Sequence, residues 1–325
     1  MKKKFFLVSL FIVLNISLSA RVVPLPEVVR PTSLSVDDTQ LYICEHEKIS
    51  IYSLKDFKLI KKFGEKGEGP QEFKSAAHVN CQSDRLVVLS TGKLSVYTKA
   101  GEFQNETKNP SPFIRGFIPV GNTYVALEYN FRDKYKVIIC NPKLEKVKEI
   151  FTEEKARKTG SMFTAAFQYR VYYDKVYIAS GKDLVIRVFD INGNPLFSIT
   201  KEYKLLAFTR EHATQFLEAY RTSPITKEFY ENFKKRVQFP EYFPAIDNFF
   251  VADGNVYVQT YKGIDKKSEF FIFDENGKFI KTVFLPVADK DFMALSLFDI
   301  GNGNLYNLIE NEDTEAWELH ITEID

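Results

Sequence analysis

The chain has 325 residues, of which 44 are Lys or Arg and 43 are Asp or Glu, so its formal net charge is +1. This balance excludes a protein that works by general attraction to polyanions, and nucleic acid is therefore not an expected partner. With 45% hydrophobic and 27% charged residues, the composition is that of a folded globular protein and excludes disordered, collagen-like and coiled-coil chains. A mean hydropathy of −0.22 excludes a protein with several membrane spans.

The N-terminal segment has the three-part pattern of an export signal. Residues 1–4 are basic, residues 5–14 are apolar, and small residues precede Ala20, where a signal peptidase would cut. The apolar run is shorter than the roughly 18 residues that a membrane anchor needs. We therefore expect residues 1–20 to be a signal peptide and residues 21–325 to be a periplasmic or secreted protein without stable membrane insertion.

The three cysteines, Cys44, Cys81 and Cys140, are an odd number and contain no C-x-x-C pair. This spacing predicts neither a disulfide framework nor a zinc site. Each cysteine lies in an apolar, strand-like run, which favours buried free thiols. The sequence leaves open whether one pair is oxidised in an exported protein.

A pattern of a polar turn followed by two short aromatic or β-branched runs occurs six times. The equivalent residues of the first runs are Tyr42, Val87, Tyr124, Tyr177, Tyr257 and Tyr306, with spacings of 45, 37, 53, 80 and 49 residues. A period of about 40 to 50 residues with four strands per unit is typical of a propeller blade. We therefore predict an all-β monomer, a six-bladed β-propeller of four-stranded antiparallel blades.

The outlying spacing of 80 residues predicts a helical insertion at residues 203–245, before blade 5. Two helices are expected there, the first capped by Thr209 and the second by Thr226. Their apolar positions, at helical spacing, are Phe216, Leu217 and Tyr220 in the first helix and Phe229, Phe233 and Val237 in the second. Prolines at 240 and 244 end helix formation.

The ring of blades needs a closing strand, because the sixth copy of the pattern supplies only three strands before Asp325. Val22 to Val29 is an extended segment that belongs to no copy. An open ring would leave two exposed sheet edges, and prolines are tolerated on an outer strand. We predict that this N-terminal segment is the outer strand of the last blade.

Phe63 to Phe73 reads FGEKGEGPQEF. This segment resembles the strand-ending signature of NHL-type repeats, and the blades together resemble bacterial exported six-bladed β-propellers of the NHL-repeat or TolB-like group. The resemblance covers nearly all of the mature chain. It implies a propeller fold, an exported location and, in general terms only, a binding role, since the similar exported proteins have no assigned function.

The motifs that could carry chemistry favour structural roles. Gly64, Gly67 and Gly69 are followed by Pro70 and flanked by glutamates, which predicts a turn between blades and not a phosphate-binding loop. The four histidines lie in different repeats, without ligand spacing, so that no metal site and no cofactor are expected. No catalytic motif is found, and no catalytic residue is assigned.

Antiparallel blades place the insertion and the loops between second and third strands on one rim. The candidate ligand-binding residues of this rim, chosen for the aromatic and arginine content typical of binding surfaces, are Arg115, Tyr129, Arg132, Arg170, Tyr242 and Phe243. We expect a non-catalytic binding or scaffold protein that holds a protein, peptide or glycan at the rim and central funnel. The alternative is a propeller lyase or hydrolase with a calcium-stabilised centre, to which Asp247, Asn248 and Glu128 to Asn130 would contribute.

Overall fold

The computed structural model describes residues 21–74, 78–81, 84–90, 92–130, 134–154, 167–287 and 297–324. The predicted signal peptide at 1–20 and the candidate residue Arg132 lie outside these ranges. Within them no helix is long and apolar enough to cross a membrane.

Six four-stranded antiparallel sheets form the blades, and in blades 1 to 5 the four strands pair in chain order. Blade 1 contains Ser33–Val36, Gln40–Glu45, Lys48–Ser53 and Leu59–Phe63; blade 2 contains His78–Cys81, Arg85–Ser90, Lys93–Thr98 and Phe103–Lys108; blade 3 contains Ile114–Val120, Thr123–Asn130, Lys134–Cys140 and Lys146–Glu154. Blade 4 contains Gln168–Tyr172, Lys175–Ala179, Val185–Asp190 and Pro195–Thr200, and blade 5 contains Asn248–Ala252, Asn255–Ile264, Lys267–Asp274 and Phe279–Leu285. The first strand of each blade contacts the first strands of both neighbouring blades, so the six first strands surround a central channel.

Blade 6 is closed by the N-terminal strand, as predicted. Phe298–Gly301, Asn304–Asn311 and Ala316–Glu323 supply three strands, and Arg21–Pro24 pairs antiparallel with the last of them. The closing strand ends earlier than the predicted Val29, because the chain turns inward after Pro24. Leu25 and Val28 are then buried between blades 6 and 1 instead of extending the sheet.

The core lies between the blades. The repeated second-strand residues are all buried, with exposures of 6% or less, and each packs on apolar residues of its own and a neighbouring blade. Tyr177 of blade 4, for example, belongs to the same apolar cluster as Phe249 and Phe273 of blade 5. The repeat therefore marks the contacts that hold neighbouring blades together.

The first insertion helix agrees with the sequence and the second does not. Helix α1, Arg210–Thr222, is capped by the Thr209 hydroxyl, which accepts a hydrogen bond from the backbone N–H of His212. The second segment is a 3₁₀ turn, Lys227–Phe229, followed by the short helix α2, Tyr230–Lys234. The prediction that Thr226 caps a helix reaching Val237 was wrong. The Thr226 hydroxyl donates to the carbonyl of Tyr220 at 2.6 Å and so ties the turn to α1 instead.

The two ends of the insertion are joined by backbone hydrogen bonds. The N–H of Phe208 donates to the carbonyl of Glu241, and the N–H of Phe243 donates to the carbonyl of Leu206, both at 2.9 Å. The insertion leaves the propeller after blade 4 and returns to the first strand of blade 5.

The cysteines and the glycine run behave as structural elements. All three cysteines are free, and Cys44 and Cys140 are buried, whereas Cys81 is half-buried on the first strand of blade 2. Gly64 has φ +96°, and a Cβ there would lie 2.5 Å from the Phe73 ring and 2.6 Å from the carbonyl oxygen of Glu47. Only glycine fits at this blade junction, which is the structural role that the sequence predicted.

Candidate functional site

The propeller has two faces that differ in their connections. One, here called the insertion face, carries the links between blades, the loops between second and third strands, and the helical insertion. The other, here called the turn face, carries the short turns between first and second and between third and fourth strands.

On the insertion face the structure brings together Arg115 and Tyr129. The exposed guanidinium carbon of Arg115 lies 5.2 Å from the centroid of the Tyr129 ring. Within the described parts of the chain this guanidinium forms no ion pair and no hydrogen bond. The strands that hold the two residues are neighbours in blade 3, where Arg115 pairs with Leu127 and Ile114 with Glu128. A cation thus rests on an aromatic face with its donors still available.

Further aromatic rings extend this surface. The Tyr129 and Tyr135 rings are 5.4 Å apart, and Tyr135 stacks on Phe167 with centroids 5.2 Å apart and planes inclined by 15°. A cavity of about 470 Å³ lies beside Arg115 and reaches His78 and Lys93 on blade 2. Lys93 is already ion-paired with Glu106 at 2.9 Å, so among the described lysines and arginines of this lining Arg115 is the one left for a ligand.

Arg170 belongs to the channel and not to the rim loops. It lies on the first strand of blade 4, where its guanidinium donates to the Asn248 side-chain oxygen at 2.8 Å and to the carbonyl of Tyr169 at 2.9 Å. Its charge also lowers the pKa of His78 on blade 2, although burial is the larger cause. The Arg170 side chain faces the central channel, so it influences residues of blades 2 and 5 although it lies on blade 4.

The two insertion residues of the prediction differ in exposure. Tyr242 is 44% exposed, whereas Phe243 is 3% exposed. The Phe243 ring stacks on Tyr261 of blade 5, with centroids 4.6 Å apart, and contacts Phe208 at 4.8 Å. Phe243 therefore anchors the insertion to the propeller, and Tyr242 is the member of the pair that faces solvent.

One position of each first strand lies directly opposite the repeated second-strand residue. These six channel positions are Ser35, Asn80, Pro119, Arg170, Phe250 and Asp299. Two of the six are charged, with opposite signs, on blades 4 and 6. Asp299 was not among the residues predicted from the sequence, although in five of the six blades this position is seven residues before the repeated one.

Asp299 is held at the channel wall by the backbone. Its Oδ2 accepts a hydrogen bond from the N–H of Val36 and its Oδ1 from that of Ile300, both at 2.9 Å. Burial raises its pKa to about 6, although these two N–H donors and the charge of Arg170 oppose the rise. A carboxyl group with such a pKa changes its charge near neutral pH.

The turn-face mouth of the channel contains a cavity of about 440 Å³ that reaches Asp299 and Cys81. Asp37 and Lys99, at its edge, form an ion pair. Burial works against ionisation of Asp37, but hydrogen bonds from Lys99, Thr39 and Tyr42 hold its pKa below the usual value. Asp253 accepts a hydrogen bond from the N–H of Gly303 at 2.8 Å.

The residues considered for a calcium site are engaged elsewhere. Glu128 accepts a hydrogen bond from the ammonium of Lys146 at 2.7 Å, and Asp247 bonds the hydroxyl of Tyr261. Across the described ranges no group of three or more His, Cys, Asp or Glu residues could hold a metal ion. The calcium-dependent enzyme thus stays an untested alternative, with no specific observation in its favour.

No family model matches the sequence, and no curated protein matches it. Among solved structures, the chain is similar to a "Putative exported protein" of Bacteroides fragilis NCTC 9343, with a TM-score of 0.58 and 13% identity over 94% of this chain and 95% of the other. It is also similar to a member of the DUF4221 family from Bacteroides vulgatus, with a TM-score of 0.56 and 12% identity over 94% of this chain and 97% of the other. At such identities a likeness shows the fold alone. The chain is a six-bladed β-propeller that shares its overall fold with these two proteins over nearly their whole length.

Proposed function

We propose that this protein is an exported, non-catalytic binding or scaffold protein that captures a protein, peptide or glycan partner through a carboxylate group. It acts as a monomer in the periplasm or outside the cell. The observation that carries the proposal is the exposed Arg115 guanidinium, which rests on Tyr129 and has no carboxylate or carbonyl partner within the described chain.

The chemistry of arginine supports a carboxylate on the partner. The guanidinium is planar and always charged, and its N–H donors match the two oxygens of a carboxylate. Contact with the Tyr129 ring restricts the Arg115 side chain before a partner arrives, so that less conformational entropy is lost on binding. Arginine and tyrosine are also among the residues that most often dominate binding energies at interfaces.

The exported location rests on two supports. Residues 1–20 have the basic, apolar and small-residue order of a signal peptide. The Bacteroides fragilis protein of similar fold carries the word exported in its name. N-terminal sequencing of protein from the envelope or culture medium tests the proposal. A chain that begins near Ala20 or Arg21 is expected, and a chain that retains Met1 there would contradict export.

The binding role is tested by capture from the exporting cell with the purified mature protein. Arg115→Ala should capture at least tenfold less partner than the wild type, because the cation that meets the carboxylate is removed. Arg236→Ala is the matched control, since Arg236 is an exposed arginine of the insertion and has no contact with the Tyr129 ring in the described chain. Equal capture by both variants, or loss in the control alone, would overturn this assignment.

A further inference from the structure

The central channel contains a cation, Arg170, and a carboxylate, Asp299, that do not pair with each other in the described chain. Arg170 and Asp299 occupy equivalent positions on blades 4 and 6, each opposite a repeated tyrosine of its own sheet. Each influences the pKa of the other, yet the described chain has no hydrogen bond and no ion pair within 4.0 Å between them. The first strand of blade 5 lies between the two blades that carry them.

Both groups are fixed, and both retain unused hydrogen-bonding capacity. Arg170 uses two of its five N–H donors, on Asn248 and Tyr169, and its guanidinium carbon lies 5.2 Å from the centroid of the Phe249 ring. Asp299 accepts one backbone N–H on each oxygen, which leaves a second acceptor site on each. The two side chains are therefore oriented by the protein before any ligand arrives.

A third polar group, on the same strand as Arg170, has an acceptor that no described residue fills. Gln168, two residues before Arg170 on the same strand, donates through its side-chain nitrogen to the carbonyl of Asp247 at 2.6 Å. Its side-chain oxygen is buried and accepts no hydrogen bond from the described residues. Buried polar atoms are usually paired, so this oxygen retains acceptor capacity in the channel.

Space for a small molecule adjoins Asp299 and Val171, the residue that follows Arg170 in the chain. The cavity of about 440 Å³ at the turn-face mouth has Asp299 in its wall and the rings of Tyr172 and Tyr173 beside it. Its volume falls in the range of ligand sites for small molecules. Asp37 is paired with Lys99, whereas Asp299 keeps acceptor sites for a cationic donor.

We propose that the channel binds a small zwitterion of the α-amino acid class, with its carboxylate on Arg170 and its ammonium group on Asp299. The ammonium has three N–H donors for the open acceptor sites of Asp299, and the carboxylate can accept the unused donors of Arg170. Isolated charges in a channel of low dielectric are costly, and a zwitterion compensates both of them with no net charge brought in. The site is separate from the Arg115–Tyr129 surface and does not depend on the proposed partner.

The test is calorimetric titration of the mature protein with each of the twenty L-amino acids, followed by the N-acetyl and C-terminal amide forms of any that bind. Binding of at least one free amino acid is expected, and each blocked form should bind at least tenfold more weakly. If no amino acid binds at millimolar concentration, or if either blocked form binds as well as the free one, the proposal is overturned.

Variants separate the two contacts. Asp299→Asn and Arg170→Gln should each weaken binding of the same amino acid at least tenfold, whereas the exposed control Asp183→Asn should leave it unchanged.

Acetate and ethylamine each carry only one of the two charges of the amino acid and test the two contacts singly. If acetate or ethylamine binds as tightly as the amino acid, the channel is a simple carboxylate or amine site, and the zwitterion proposal is overturned. The blocked ligands decide the question even if a channel variant does not fold.

Discussion

The second strands of the blades repeat one residue, and the first strands do not. Opposite the buried positions, five of which are tyrosine, the channel positions are serine, asparagine, proline, arginine, phenylalanine and aspartate. The two sets are direct neighbours in the same ladders, so secondary structure does not explain the difference. Packing between blades restricts the second strands, whereas a channel accepts any side chain of suitable size. The buried second-strand positions and the contacts they make between blades are here called the shell. The shell is specified by repetition, whereas the channel positions differ from blade to blade.

The largest effect is expected when the shell is opened. Deletion of residues 21–31 removes the fourth strand of blade 6 together with Leu25 and Val28, and it should lower the free energy of unfolding by about 5 kcal/mol. Urea unfolding followed by circular dichroism measures this loss. An unchanged midpoint would show that the ring does not depend on its N-terminal strand.

Within one blade, a shell residue and a channel residue should differ in their contribution to stability. Tyr177→Ala removes a fully buried aromatic ring between blades 4 and 5 and should cost about 4 kcal/mol. Asn80→Ala removes one hydrogen bond to the carbonyl of Phe117 and should cost about 1 kcal/mol. Both values come from urea unfolding. Equal losses would break the distinction between shell and channel.

The insertion should show the same contrast over two adjacent residues. Phe243→Ala leaves a cavity beside Tyr261 and should lower the free energy of unfolding by about 3 kcal/mol. Tyr242→Ala, at a residue that is 44% exposed, should change the free energy of unfolding by less than about 0.5 kcal/mol. A Phe243 variant as stable as the Tyr242 variant would show that the insertion does not need this anchor.

A pH dependence of stability is expected at the channel. Because burial raises the pKa of Asp299 to about 6, above its value in the unfolded chain, the folded state binds more protons between about pH 4 and 6. The wild type should therefore lose stability relative to Asp299→Asn as pH rises through this window, and the difference should level off above it. Unfolding curves at several pH values test this, and a constant difference would contradict the raised pKa.

The sequence was sufficient for the architecture because each blade repeats its own packing. The spacing of Tyr42 and its equivalents predicted six meanders, and the missing fourth strand of the last one predicted closure by the N-terminus. The length of the closing strand was overestimated because the burial of Leu25 and Val28 depends on a contact between blades that are distant in sequence.

The sites were less predictable. Arg115 and Tyr129 were found as rim residues, but their stacking depends on strand pairing that a residue list does not show. Asp299 was missed, since a single aspartate near the C-terminus has no local motif. Its signal is positional, seven residues before the last repeated tyrosine. Thr226 was misassigned as a cap: its hydroxyl accepts no N–H of the following turn and donates to the Tyr220 carbonyl of α1, a contact outside its own segment.

The most direct test of the account is a paired measurement on Arg115→Ala, of its unfolding free energy and of the amount of partner it captures. Arg115 is exposed, so the variant should stay within about 0.5 kcal/mol of the wild type, while capture falls at least tenfold. Normal capture would contradict the assignment of partner binding to Arg115, and so would a loss of capture accompanied by a loss of several kcal/mol in stability.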